Sequence, residues 1–193
     1  MNRRESLKDP DDLEFFDRIQ KLHLSLDQEF LNQFQRSLPL NEVLIDRWER
    51  ASRLGFGDQT SIYDSSLVLG NVQVGKSCWI GPFTVLDGSG GLSIGDHCTI
   101  SAGVHIYSHD NVIQTLSSGR FPIDRNPTTI GRNVYIAPNV VIAKGVNIGD
   151  CCVVGVGSFV NKSFDSNKIL VGQPAKCIGE VIVTDSSIDF KYF

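Results

Sequence analysis

The chain has 193 residues, 41 % of them apolar and 21 % charged, enough to build one folded domain with a small appendage and unlike the composition of a fibre or a disordered tail. Its 18 Lys and Arg against 22 Asp and Glu leave a net charge of −4, which gives no electrostatic reason to expect nucleic acid or an anionic membrane as partner. No apolar run approaches the roughly 18 residues of a membrane span, and Met1-Asn2-Arg3-Arg4-Glu5-Ser6 leads into charge rather than a signal-peptide core, so a cytoplasmic location is expected.

In chain order, the first predicted element is a helix starting at Asp11 or Asp12 after Pro10. Phe15, Ile19, Leu22, Leu26, Phe30 and Phe34 recur at spacings of three and four and so share one face. A second helical pattern follows Pro39, with Leu44, Trp48, Ala51 and Leu54 on one face, Asn41 as a possible cap and Gly55 as the stop. Residues 1–54 hold no glycine, whereas all 18 glycines fall between Gly55 and Gly179. The chain therefore reads as an N-terminal helical segment, 1–54, joined to a different architecture, 55–180, with a tail over 181–193.

From Ile62 onward the period changes to six. Ile62, Val68, Val74, Ile80 and Leu86 are followed, after two extra residues within Asp87-Gly88-Ser89-Gly90-Gly91, by Ile94, Ile100 and Ile106. After an insertion over 107–129 the series returns at Ile130, Ile136, Ile142, Ile148, Val154 and Val160, fourteen aliphatic positions in register. Six fits neither the 3.6 of a helix nor the 2 of a lone strand, but it suits a short strand plus a turn repeated three times per coil of an all-β solenoid. Each aliphatic residue then points into a stacked column. The residue four places on, often Cys, Val, Ser or Thr, fills the corner. Cys78, Cys98 and Cys152 are compact core residues on this reading, and the five cysteines, which include Cys151 and Cys177 and no CxxC pair, are expected as reduced thiols. Three hexads per coil put Val68, Leu86, Ile106, Ile142 and Val160 on one face, with Asp87 to Gly91 directly below His109. Lys144 and Lys162 come above it if the insertion adds no extra side.

The repeats Ile130-Gly131, Ile148-Gly149-Asp150 and Val154-Gly155-Val156-Gly157-Ser158, with the ending Val171-Gly172-Gln173-Pro174-Ala175-Lys176, resemble those of the hexapeptide-repeat acyltransferases. Trp79-Ile80-Gly81-Pro82 and Leu86-Asp87-Gly88-Ser89-Gly90-Gly91 resemble the branch that acetylates bacterial surface polysaccharides. The resemblance, over about residues 45–180, implies a left-handed parallel β-helix, acetyl-CoA as co-substrate, no metal, a homotrimer, and a sugar or sugar-nucleotide acceptor. It implies that His109 is the general base that deprotonates the acceptor. Asp87 or Asp110 would orient the imidazole or, with Tyr107, touch the acceptor. Arg120 and Arg125 in the insertion would read an acceptor phosphate or carboxylate. Coenzyme A would lie along Ala137, Val156 and Gly157, with Asn161, Lys162, Pro174 and Lys176 toward its phosphates. Galactoside- and maltose-type members carry an Asn about one coil before the histidine; here the stretch reads Trp79-Ile80-Gly81-Pro82-Phe83-Thr84, so their sugar contacts do not carry over.

Three readings follow. The first is transfer of acetyl to a hydroxyl of a surface polysaccharide or its precursor, with N-acetylation of a nucleotide-linked amino sugar as the close variant. The second is a zinc enzyme of the carbonic-anhydrase kind, which needs three converging histidines. Only His97, His105 and His109 qualify, and the register puts His97 and His109 on different corners. The third is a non-catalytic β-helical scaffold.

Overall fold

The computed structural model describes residues 3–193 and divides into two compact units, Met1–Asp46 and Arg47–Phe193. In the first, helix α1 spans Pro10–Phe34. Asp9 caps it by accepting a hydrogen bond from the Asp11 N–H (2.8 Å), Pro10 fills the first turn where no N–H is needed, and Gln35 ends it in the left-handed region at φ 53°. Asp27 accepts from the Leu38 N–H and the Ser37 hydroxyl, both at 3.1 Å, which ties the helix to the turn that follows it. His23 lies 3.4 Å from the Leu38 carbonyl in the same turn. The predicted apolar stripe of α1 is present, yet no residue of the helix is buried.

The single second helix expected after Pro39 is two helices. α2 spans Leu40–Leu44 and α3 spans Arg47–Arg53, separated by Ile45 in an extended conformation. Pro39 occupies the cap position of α2 without a side-chain bond, and Asn41 lies inside the helix. The physical reason is visible in the burial. Of Leu44, Trp48, Ala51 and Leu54 only Ala51 is buried, so no continuous apolar face holds one long helix together.

α3 belongs to the second unit and packs against the first strand, Ser61–Ile62, so the compact division falls at Asp46 and Arg47 rather than at the first glycine. The Arg50 guanidinium donates to the carbonyls of Tyr63 and Ser66 and pairs with Asp64. Ala51 and Phe56 close the lower end of the core.

Above this end the chain coils as a parallel solenoid. One column runs Ile62, Ile80, Ile100, Ile136, Val154 and Leu170, each residue paired with the next by strand register, which makes six rungs. A second column runs Val68, Leu86, Ile106, Ile142 and Val160. A third runs Val74, Ile94, Ile130 and Ile148. The face assignment drawn from the six-residue period is therefore the observed one. Ile62, Ile80, Leu86, Ile100, Ile106, Ile136 and Ile142 are fully buried, each contributing roughly 1.5–3 kcal/mol by leaving water. Cys78, Cys98 and Cys152 are buried at the corners of this core, and all five cysteines are free thiols.

Ile94 pairs directly with Ile130, so residues 107–129 add no side to the coil. The insertion leaves as a two-residue strand, His109–Asp110, forms helix α4 over Val112–Leu116, and returns as Asp124–Arg125, antiparallel to the outgoing strand. Beyond the last rung, Ala175–Val183 and Ile188–Tyr192 add an antiparallel hairpin to the first sheet. Residues 181–193, read from the sequence as a tail, are thus largely sheet. Their alternation of Ile188, Phe190 and Tyr192 with Asp189 and Lys191 is the strand signal that the six-residue period overshadowed. Among the described residues no helix is long and apolar enough to cross a membrane.

Candidate active site

The site begins with the two extra residues of Asp87-Gly88-Ser89-Gly90-Gly91. They lengthen one strand to Val85–Ile94, which rounds a corner of the coil and pairs with Leu67–Val74 below on both sides of a bulge, Gly70 opposite Gly88 and then Val72 opposite Leu92. Leu86 stays in the core column while Asp87, one residue on, is also wholly buried beneath the point where the insertion departs. Its oxygens are all engaged. Oδ1 accepts the Ser89 N–H at 3.0 Å, and Oδ2 accepts the Ser108 N–H at 3.0 Å and the His109 Nδ1–H at 2.5 Å. Burial pushes this carboxyl up, but the hydrogen bonds from Ser89, Ser108 and His109 outweigh it and hold the group at about 2. Asp87 is therefore a fully buried carboxylate at neutral pH, hydrogen-bonded to the imidazole.

His109 is about a third exposed, and its Nε2 has no hydrogen-bond partner among the described residues. Because Asp87 accepts from Nδ1, the neutral ring presents the Nε2 lone pair outward, the tautomer a base requires. Gly90 completes the support by donating its N–H to the Ser108 hydroxyl (2.8 Å), and a Cβ at Gly90 would collide with the Ser108 carbonyl oxygen. Thr128, buried at the returning root of the insertion, donates to the Tyr107 carbonyl (2.7 Å) and accepts from the Gly145 N–H (3.0 Å).

His109 opens onto a groove of about 530 Å³ lined by Tyr107, Asp110, Lys144, Phe159 and Asn161 among others. A somewhat larger concavity of about 620 Å³ runs along α1 between Phe15 and Ser25, but no acid–base pair lines it. The structure thus brings four sequence candidates, Tyr107, His109, Asp110 and Asn161, into one groove, with Asp87 beneath. Asp110 does not reach the imidazole; its carboxylate pairs with Lys144 at 2.8 Å. The Tyr107 hydroxyl lies 3.2 Å from His105 Nδ1. Arg125 stands opposite His109 in the strand pair, whereas Arg120 folds back to donate to the Ser117 carbonyl at 3.0 Å.

The remaining candidates fall into separate groups. Ala137, Val156 and Gly157 follow one another up the corner where the first face turns into the second, and Pro174 and Lys176 are exposed in the segment beyond. Asn161 and Lys162 lie at the far side of the second face. The Lys162 ammonium sits 5.3 Å from the centre of the Phe164 ring, so of the two lysines expected near His109 only Lys144 lines its groove. His97 is at another corner, at φ 56°, and its N–H bonds the Lys76 carbonyl. Among the described residues no group of three or more His, Cys, Asp or Glu is placed to hold a metal ion. The donors Ser89, which is exposed, and Ser108, which is buried, were not singled out from the sequence, nor were Lys144's ion pairs with Asp110 and Asp124. Ser108, adjacent to the candidate histidine, was the available signal.

Comparison with known proteins supplies the family. The family described as "Bacterial transferase hexapeptide (six repeats)" matches residues 127–162, and "Hexapeptide repeat of succinyl-transferase" matches residues 71–108. The galactoside O-acetyltransferase of Escherichia coli is 31 % identical over 140 residues, 61 % of this chain and 68 % of that protein. The chain belongs to the hexapeptide-repeat acyltransferase family. Its solenoid is the left-handed parallel β-helix of that family. The Escherichia coli protein named colanic acid biosynthesis acetyltransferase WcaF is 36 % identical over 114 residues, 58 % of this chain and 60 % of its own length. Among solved structures, the Bacillus cereus N-acyltransferase AntD in complex with dTDP and 3-hydroxybutyryl-CoA superposes with a TM-score of 0.55 at 21 % identity, over 69 % of this chain and 89 % of that one. A Vibrio cholerae hexapeptide-repeat acetyltransferase with acetyl-CoA gives 0.51 at 20 % identity, over 88 % of both chains. These two likenesses establish shared fold.

Proposed function

We propose that this family member is an acetyl-CoA-dependent acetyltransferase whose acceptor is a sugar hydroxyl of a surface polysaccharide or its precursor, with His109 as general base. The observation that carries the reading is the His109–Asp87 pair: an imidazole fixed by a buried carboxylate, its second nitrogen free and facing a groove. The names of the relatives, a galactoside O-acetyltransferase and a colanic acid biosynthesis acetyltransferase, support the acceptor class.

In the reaction, Nε2 takes the proton of the acceptor hydroxyl as its oxygen attacks the thioester carbonyl, and Asp87 stabilises the imidazolium that forms. The C–S bond then breaks, and the imidazolium returns its proton to the departing thiolate. Ala137 is small and buried, and the space over Gly157 is open, so the corner they form fits a pantetheine arm close to the backbone. Asn161, Lys162, Pro174 and Lys176 are the candidates for the phosphate end. The homotrimer of the family is proposed here too: it would cover the open outer faces and complete the groove from a second copy, and the enzyme would work in the cytoplasm, where acetyl-CoA is available.

One observation favours a second acceptor. Arg125, directly opposite His109, would suit a nucleotide diphosphate, and the AntD complex contains dTDP, which supports N-acylation of a nucleotide-linked amino sugar as the alternative. Calorimetric titration with acetyl-CoA and with CoA tests the donor directly. Saturable binding near one per subunit is expected, followed by a screen of glycan fragments against dTDP-, UDP- and GDP-amino sugars. Absence of binding at millimolar ligand would favour the non-catalytic scaffold.

A further inference from the structure

The insertion that carries His109 faces an electrostatic problem. Its two strands share only two register pairs, His109 with Arg125 and Asp110 with Asp124, and so short a ribbon is marginal by itself. The second pair sets two carboxylates directly opposite each other, an arrangement that destabilises an antiparallel pair. Lys144 resolves it from outside the insertion. It projects from the corner after Val141–Ile142, the strand stacked on His105–Ile106, and its ammonium bonds both Asp110, at 2.8 Å, and Asp124. The Lys144 side chain is 19 % exposed and those of Asp110 and Asp124 39 % and 40 %, so the ammonium is partly shielded while the carboxylates reach solvent. The bonds to Lys144 lower the Asp110 pKa, and the same bonds to Asp110 and Asp124 raise that of Lys144.

We infer that Lys144 is a positioning residue: it clasps the 107–129 insertion to the body of the helix and, by neutralising the facing carboxylates of Asp110 and Asp124, holds the strand pair whose first residue is His109. Lys144 is then occupied and does not serve as an anion site for the acceptor. The catalytic half of this inference rests on the proposed acetyl transfer; the structural half does not.

The test compares the full-length protein with Lys144→Met and with the double variant Lys144→Met/Asp124→Asn, in which one carboxylate is neutralised along with the lysine. Tryptic cleavage after Arg125, followed by mass spectrometry, reads the opening of the strand pair independently of any activity. Lys144→Met is expected to accelerate that cleavage on the order of tenfold through local opening and to lower kcat by a similar factor, with the calorimetric affinity for acetyl-CoA unchanged. The double variant is expected to recover most of both losses, because the repulsion is gone. Unchanged cleavage in Lys144→Met, or a double variant that cleaves as fast as the single one, would overturn the clasp. A wild-type protein that transfers no acetyl group would refute the enzyme reading while the cleavage comparison still decides the clasp.

Discussion

Replacing Asp87 by Asn is the perturbation for which the structure gives the most detailed expectation. Three N–H donors converge on its buried carboxylate: Ser89 on one oxygen, and Ser108 and His109 on the other. An asparagine has one oxygen and one amide nitrogen, so it cannot satisfy all three. With its nitrogen toward Ser89, two donors face each other in a buried site, at a cost of about 1–3 kcal/mol. With its nitrogen toward His109, Ser108 loses its acceptor and the imidazole is driven to the tautomer that carries its proton on Nε2, which cannot act as base. Either orientation removes the charge that stabilises an imidazolium. Measured by chromatographic separation of CoA, which avoids interference from the five thiols, kcat is expected to fall by about 10²- to 10⁴-fold, the usual span for general-base catalysis. The gap between the ordinary 3.8 and about 2 corresponds to roughly 2.5 kcal/mol of folding free energy. Because the folded carboxyl is depressed, that contribution is present above pH 3.8 and disappears as the pH falls through about 2. The wild type is therefore expected to be more stable than Asp87→Asn at pH 7, and the difference in melting temperature should narrow between pH 4 and pH 2. An Asp87→Asn protein with kcat within threefold of wild type and an unchanged pH dependence of melting would refute this reasoning.

Gly90→Ala introduces a Cβ against the Ser108 carbonyl oxygen, one residue from His109, and should lower kcat more than it lowers the melting temperature; equal kcat in the variant would show that the loop yields without moving the histidine. Ile100→Ala empties a fully buried position in the first column, between Ile80 and Ile136, and should cost about 2–5 kcal/mol by denaturant unfolding. A loss under 1 kcal/mol there would mean that the column is not the main source of stability.

The solenoid was legible because its determinant is local and repeated. Every sixth residue must enter the core, so the sequence from Ile62 to Val160 carries the faces and the vertical neighbours of its aliphatic residues, while the last rung at Leu170 lies beyond the regular series. His109 above Asp87 followed from that register. The choice between Asp87 and Asp110 did not, because it depends on how the insertion folds back: Asp110 is adjacent in sequence, but the strand turns its carboxylate toward Lys144 while the loop below delivers Asp87 to Nδ1. The clasp was hidden for the same reason, since Lys144 and Asp124 are twenty residues apart and meet only through a hairpin whose register no periodicity encodes. Near the N-terminus the helical period continued through Ile45 and Asp46, where burial of Ala51 but not of Leu44, Trp48 or Leu54 gives the chain no reason to stay in one helix.

The central claim is that His109, held by Asp87, takes the acceptor proton. The most direct measurement is acetyl transfer by His109→Ala beside the wild type, with calorimetric binding of acetyl-CoA recorded for both. Unchanged donor affinity and a kcat reduced by at least about 10²-fold are expected. A variant that binds acetyl-CoA normally and retains most of the wild-type kcat would contradict it.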